Sequence, residues 1–328
     1  MNDGGPQILQ KCITTKNNGT ISYFEYTSIL SASTSSPPHP GLIIVHGALE
    51  SSRSHSEIAS ILCSSFTVFL PDRRGRGGSS APGADFSMQT EIDDLEALLL
   101  ATGARYVAGV SSGAMITLYS ALALLSTKGN GEGLIKKIVV FEPPLLLDDF
   151  PAFERAKERI EREIEEGKIA DAFITEMRIT QMANWVMAKT PRWALVPLVR
   201  WGLRWDEKRN GAGEGVGKKV EAGGDGSEYT VARLVPTVKF DFQLVKEVQG
   251  TLERLKSLNE MNVDVLLMSA SKSPGWLRRS TEELERLIPK ASHVRLQGVD
   301  HLALGNRDIA GGRPEQAAAQ VTKFLNSK

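Results

Sequence analysis

Tyr106-Val107-Ala108-Gly109-Val110-Ser111-Ser112-Gly113-Ala114-Met115 is the stretch that decides the fold. An apolar run of strand length stops at a Gly-x-Ser-x-Gly pentapeptide, and small and apolar residues continue beyond it at helical spacing. A sharp strand-to-helix turn needs glycine at both flanks, because a β-carbon there would strike the neighbouring strand or helix. A serine hydroxyl is a poor nucleophile, and such a turn helps it in two ways. The turn lifts the hydroxyl above the sheet, and the helix N-terminus aims unpaired N–H groups at any oxyanion formed beside it. The frame selects Ser111 over Ser112, since centring on Ser112 would put Val110 and Ala114 where glycines belong.

Outward from this turn, short apolar runs alternate with helical patterns, which predicts a mostly parallel sheet covered on both faces. Strands are expected at Thr20–Tyr26, Gly41–Val45, Phe66–Leu70, Tyr106–Val110, Ile138–Phe141, Val263–Met268 and His293–Leu296. Helices are expected at Ser54–Leu62, Thr90–Ala101, Ala114–Leu125, Thr281–Ile288 and Pro314–Leu325. Ser28–Pro40 is rich in Ser, Thr and Pro and reads as a flexible loop. After Phe141 the alternation stops. From Leu147 to about Lys256 the pattern is helical, and a strand resumes at Val263. The expected organisation is therefore a core of residues 1–146 and 257–328 with a helical cap at 147–256, inserted where open α/β sheets bind ligands. Within the cap, Glu207–Ser227 is rich in Gly, Lys and Glu and reads as a mobile loop.

Lys+Arg and Asp+Glu balance at 39 each in 328 residues, so no global basic field favours nucleic acid or an anionic membrane. The two cysteines, Cys12 and Cys63, suit neither a disulfide framework nor a cysteine-based zinc site. The first residues carry no secretory signal pattern, and no apolar run reaches membrane-spanning length. The expectation is a cytoplasmic protein with no metal and no organic cofactor. Its partner is a small hydrophobic molecule, and homodimerisation is left open.

The remaining motifs follow strand ends in order: His46-Gly47-Ala48, then Asp72-Arg73-Arg74-Gly75-Arg76, the serine turn, Glu142-Pro143-Pro144, and Asp300-His301. This order resembles the α/β-hydrolase superfamily from about residue 20 to the C-terminus. The resemblance implies a Ser, acid, His triad in that chain order, in which Ser111 attacks and His301 serves as general base. His301 alone among the five histidines falls between the last strand and the final helix. It also implies an oxyanion hole from the backbone N–H of Ser112 with that of Gly47 or Ala48. Most relatives carry an aspartate after the penultimate strand, but Ser269-Ala270-Ser271-Lys272-Ser273-Pro274 has no carboxylate. Glu142, one strand earlier, is the candidate acid. Its segment and the Ser-Ser-Gly turn are similar to those of fungal lactonases that open the resorcylic lactone zearalenone. An uncharacterised set of hydrolases with an E-P-P segment keeps the later aspartate, so a structural Glu142 stays open. Asp72 and its arginines read as structural pairs, and Glu154–Glu166 as a solvated helix face.

Four of the five tryptophans, Trp185, Trp193, Trp201 and Trp205, lie in the cap with Met187. Packing within the cap is the plain account of any one of them. So many large rings in so small a unit also suggest a pocket wall, and Trp185, Met187, Trp193, Trp201 and Trp205 are the expected substrate contacts. The function implied is a serine hydrolase acting on an ester or lactone of a hydrophobic, aromatic or polyketide-like molecule. The alternatives are a catalytically idle small-molecule receptor, or cleavage of a thioester, amide or C–C bond by the same triad.

Overall fold

The computed structural model describes residues 5–29, 39–126, 133–147, 150–211, 227–308 and 311–327. Eight strands form one sheet: β1 (Gln7–Thr14), β2 (Thr20–Thr27), β3 (Gly41–Val45), β4 (Thr67–Pro71), β5 (Tyr106–Val110), β6 (Lys137–Phe141), β7 (Asp264–Ala270) and β8 (Ser292–Leu296). Their order is β1-β2-β4-β3-β5-β6-β7-β8. The β1–β2 and β2–β4 pairs are antiparallel, and all others are parallel. Every residue of β6 is buried, as a central parallel strand covered on both faces requires. β1 is absent from the expected strands. Only Ile8 and Ile13 of it are even half-buried, so an edge strand without an apolar stripe left no period to read.

Eleven α-helices complete the described residues. One face of the sheet carries α1 (Ser56–Leu62) and α11 (Pro314–Leu325), which touch each other and bury Leu62, Val321 and Leu325. The other carries α2 (Met88–Thr102), α3 (Ser112–Ser126) and α10 (Gly275–Leu287), with Leu95, Met115 and Leu284 in its core. Between β6 and β7 the chain forms a helical insertion of α4 (Phe150–Glu165), α5 (Ile169–Ile179), α6 (Trp185–Lys189), α7 (Arg192–Gly211), α8 (Val231–Leu234) and α9 (Val238–Glu247), with short 3-10 turns between some of them. Stacked rings of Phe153 and Phe242, 4.8 Å apart, tie α4 to α9. Of the expected loop at 207–227, residues 207–211 extend α7, and 212–226 lie outside the described residues, as do 30–38 of the Ser/Thr/Pro-rich stretch. Among the described residues no helix is long and apolar enough to cross a membrane.

Candidate active site

Ser111 sits between the end of β5 and the start of α3 with φ of 53°, a left-handed conformation that a residue with a β-carbon adopts at a cost of about 1–3 kcal/mol. The sheet holds it there. Its N–H donates to Phe141 O at 2.9 Å, and its own carbonyl accepts from Ala114 N at 2.9 Å. The flanking glycines meet the expected steric limit. A β-carbon on Gly109 would collide with the Gly113 carbonyl and Thr117, and one on Gly113 with the carbonyls of Val45 and His46.

Glu142 ends β6 in the same strained region, with φ of 46°. The turn aims its carboxylate across β7, and the carboxylate is fully buried. Three donors replace its lost water: Ala270 N–H at 2.7 Å on Oε1, and Ser273 Oγ at 2.7 Å and His301 Nδ1 at 2.8 Å on Oε2. The end of β7 and the loop after it, which lack a carboxylate, thus supply two of the donors that hold one. Donation from Nδ1 fixes the His301 tautomer and leaves Nε2 as the basic lone pair. The His301 ring stacks on Phe141, with centroids 5.8 Å apart and planes 17° apart. Asp300 is turned to local work, accepting Leu302 N–H at 3.0 Å.

The backbone donors expected near Ser111 are not equivalent. Gly47 N–H donates to Glu50 Oε2 at 2.6 Å and is therefore occupied. Ala48 lines the cavity above Ser111, and Ser112, as the first residue of α3, has no carbonyl one turn back to receive its N–H. Glu50 would oppose an oxyanion here if its charge were bare. It is offset by His55, whose Nδ1 donates to Leu304 O at 3.1 Å and whose Nε2 lies 3.2 Å from Glu50 Oε2. Both nitrogens of His55 face acceptors, an arrangement that favours the imidazolium. Burial alone would lower its pKa, but the Glu50 carboxylate outweighs burial and holds it raised. His46 is the opposite case. Its Nε2 accepts Arg73 N–H, and burial with the charges of Arg76 and Arg73 keeps it neutral.

Behind the turn lies a buried ionic network. Arg73 donates to Glu91 Oε1 at 2.8 Å and Asp241 Oδ1 at 2.6 Å, and Arg76 donates to Asp241 Oδ2 at 2.6 Å. Ser112 Oγ adds a 2.7 Å bond to Asp241 Oδ1. Burial works against the Asp241 charge, yet the two guanidinium groups outweigh it and hold the carboxyl below its usual range. The arginines are structural, as expected, but their partners are buried carboxylates of α2 and α9 rather than surface groups. Asp72 instead accepts from Ser52 N–H at 2.9 Å and Tyr229 OH at 3.0 Å.

A cavity of about 800 Å³ lies over Ser111 and His301, between the sheet and the insertion. Its apolar walls include Leu145, Phe153, Met177, Phe242 and Trp276. The expected tryptophan wall is not there. Trp185, Trp193, Trp201 and Trp205 are 79%, 81%, 71% and 52% exposed, and neither they nor Met187 line the cavity. For three of them the reason lies in α7, where Leu195 is buried and Val199 and Leu203 are half-buried in one i, i+4 stripe, and Trp193, Trp201 and Trp205 occupy the opposite face. Trp276 of α10 does line the cavity and donates from Nε1 to Thr180 O at 3.0 Å. Its place in a helix of the core gave no signal of this role. Glu50, Glu176 and Asp241 also line the cavity and carried no sequence signal, because each depends on contacts between distant segments.

A strand-ordered sheet of this kind, with a serine in a strained turn and a histidine held by a buried glutamate, the serine and the histidine facing one cavity, defines the class of α/β hydrolases. The alpha/beta hydrolase family model matches residues 42–317, and the chain belongs to that family. Among solved structures it is similar to an alpha/beta hydrolase from Sphaerobacter thermophilus (23% identity, TM-score 0.66, 96% of this chain and 100% of the other). It is also similar to a carboxylesterase of the thaumarchaeon Nitrososphaera gargensis (17%, 0.62, 96% and 97%) and to a thermophilic esterase from Thermogutta terrifontis (16%, 0.61, 97% and 98%). At these identities the likeness is one of fold. No curated protein matches the chain.

Proposed function

We propose that the protein is a serine hydrolase that cleaves an ester or lactone bond of a hydrophobic small molecule. One observation carries this: Ser111 and His301 open onto the same cavity while Glu142 Oε2 accepts from His301 Nδ1 at 2.8 Å. Ser111 Oγ attacks the carbonyl carbon as its proton passes to Nε2 of His301. The N–H groups of Ser112 and Ala48 receive the oxyanion, and Glu142 stabilises the imidazolium. The C–O bond then breaks, the alcohol or ring oxygen takes the proton, and an acyl-enzyme is left. Water reverses the sequence, giving its proton to His301 and releasing the acid. The insertion acts as a cap that chooses the substrate, and a cavity of about 800 Å³ suits a drug-sized molecule. Macrocyclic lactones belong in the substrate panel on the strength of the Ser-Ser-Gly turn and Glu142 segment alone, the motifs that resemble zearalenone-type lactonases. The test is labelling by a fluorophosphonate together with turnover of p-nitrophenyl esters and lactones by wild type and Ser111→Ala. Labelling and hydrolysis that vanish together in Ser111→Ala are expected. An unlabelled wild type points to an idle receptor pocket and ends the proposal.

A further inference from the structure

Glu176 is a carboxyl group without a task in the chemistry just described. It lies in α5 on the wall of the cavity, 6% exposed, and its Oε2 has no hydrogen-bond partner. Among the described residues its carboxylate neighbours at the site are answered: buried Glu142 by three donors, buried Asp241 by two arginines and a serine, and half-buried Glu50 by Gly47 and His55. An unanswered buried polar group costs free energy in the empty protein, and a ligand that answers it gains that much in affinity. Burial, helped by the nearby Asp241 charge, raises the pKa of this carboxyl to about 8, so at neutral pH it is mainly the neutral acid.

We propose that Glu176 is the polar anchor of the substrate pocket, a carboxylic acid that hydrogen-bonds a neutral hydroxyl or carbonyl carried by the substrate away from its scissile bond. A neutral acid can both donate and accept, which suits an alcohol, phenol or ketone. A cationic amine is disfavoured, because its charge would be stripped of water between walls such as Leu145, Phe153 and Phe242. The substrate class is thereby narrowed to hydroxylated or oxo-substituted hydrophobic esters. This assignment rests on the hydrolase proposal for its reaction, but not for its binding.

The experiment uses p-nitrophenyl 3-phenylpropanoate and its ortho-, meta- and para-hydroxyphenyl and aminomethylphenyl analogues. Wild type should favour at least one hydroxy isomer over the parent by roughly five- to tenfold in kcat/KM, the size of one hydrogen bond, with the gain mostly in KM. Glu176→Gln should keep that preference, and Glu176→Leu should erase it. A preference that survives in Glu176→Leu, no preference for any isomer, or a preferred aminomethyl analogue would each overturn the assignment. If no ester turns over, the hydrolase proposal fails by itself. The matching N-propylamides, titrated by calorimetry, then carry the same comparison.

A second observation stands apart from the cavity. Trp193, Trp201 and Trp205 recur on one exposed face of α7 with Pro197 between them and Leu198 beside them, and Trp185 is exposed on neighbouring α6. Protein surfaces rarely carry this many exposed large aromatic rings on adjoining segments without a partner. Exposed Arg200, Arg204 and Lys208 lie along α7 and exposed Lys189 ends α6, with exposed Glu207 also in α7, and among the described residues none of the four cations is ion-paired. We infer that this face docks on an anionic lipid surface, with tryptophans at headgroup level and the cations on lipid phosphates. A two-fold pairing with a second copy fits less well, because it would set the same cations against one another. The full chain should float with phosphatidylcholine vesicles containing about one-third phosphatidylserine and much less with pure phosphatidylcholine. Trp201→Ser with Trp205→Ser should cut partitioning at least about tenfold, given the burial value of such rings. The inference falls if wild type ignores both vesicles, or if light scattering finds a dimer that the same double variant dissolves.

Discussion

Replacing Glu142 by Gln tests the site at its most constrained point. The carboxylate is fully buried and the backbone N–H of Ala270 can only donate, so the amide has one orientation that fits. Its oxygen must take the Oε1 place to accept Ala270 N–H, which puts the NH2 group at the Oε2 place, facing Ser273 Oγ and His301 Nδ1. Ser273 can rotate its hydroxyl and accept. His301 can accept only by moving its own proton to Nε2, and the lone pair that should take the Ser111 proton is then lost. Loss of the working tautomer in an established serine triad costs about 10⁴ in kcat, or roughly 5.5 kcal/mol of barrier. Glu142→Gln should therefore lower kcat by three to four decades, on that same scale, with KM changed little, because the substrate cavity is untouched. Stopped assays with p-nitrophenyl butyrate give both constants, and circular dichroism checks that the variant is folded. A kcat within about tenfold of wild type would refute the reasoning, since no tautomeric block of this kind is so mild. Asp300→Asn is the control. The asparagine oxygen can still accept Leu302 N–H, so activity should stay within about threefold.

Ser111→Ala should abolish fluorophosphonate labelling, whereas Ser112→Ala should remain labelled and lose about 2–4 °C in Tm by differential scanning calorimetry for its lost bond to Asp241. Asp241→Ala leaves Arg76 and half of Arg73 unanswered in the interior, and urea unfolding should show a loss of about 3–5 kcal/mol. The carboxyl of Glu176 is raised from 4.5 to about 8, so between those values the folded state holds more protons than the unfolded one and stability falls as pH rises. Wild-type Tm should accordingly decline from pH 5 to pH 8 relative to Glu176→Gln, and parallel curves would show that the carboxyl is ionised throughout. Trp276→Ala removes a ring from the cavity wall and should raise KM for bulky aromatic esters about ten- to a hundredfold, from roughly 1.5–3 kcal/mol of lost burial, with a smaller effect on acetate esters. Equal losses for large and small esters would place Trp276 outside the acyl or alcohol pocket.

The parallel core was legible in the chain because a strand buried on both faces must be apolar throughout. β3, β5 and β6 are such runs, and their limits could be read to within a residue. The serine turn was legible for a local steric reason, as Gly109 and Gly113 leave no room for a β-carbon. Glu142 and His301 could be named as candidates because the resemblance to α/β hydrolases implies an acid and a histidine at such places beside strand ends. Their meeting, 159 positions apart, was decided by the sheet order that sets β6 beside β7, and by Ala270 and Ser273 closing on the carboxylate. Composition also located the tryptophans in the insertion but could not say which way they point. A helix buries whichever face its neighbours cover, and α5 and α8 cover the Leu195 side of α7, leaving the rings outside. The Asp241 network, the occupied Gly47 N–H and the unanswered Glu176 belong to tertiary structure alone. Each is a balance of desolvation against partners from distant segments, and no local stretch of sequence contains both sides of that balance.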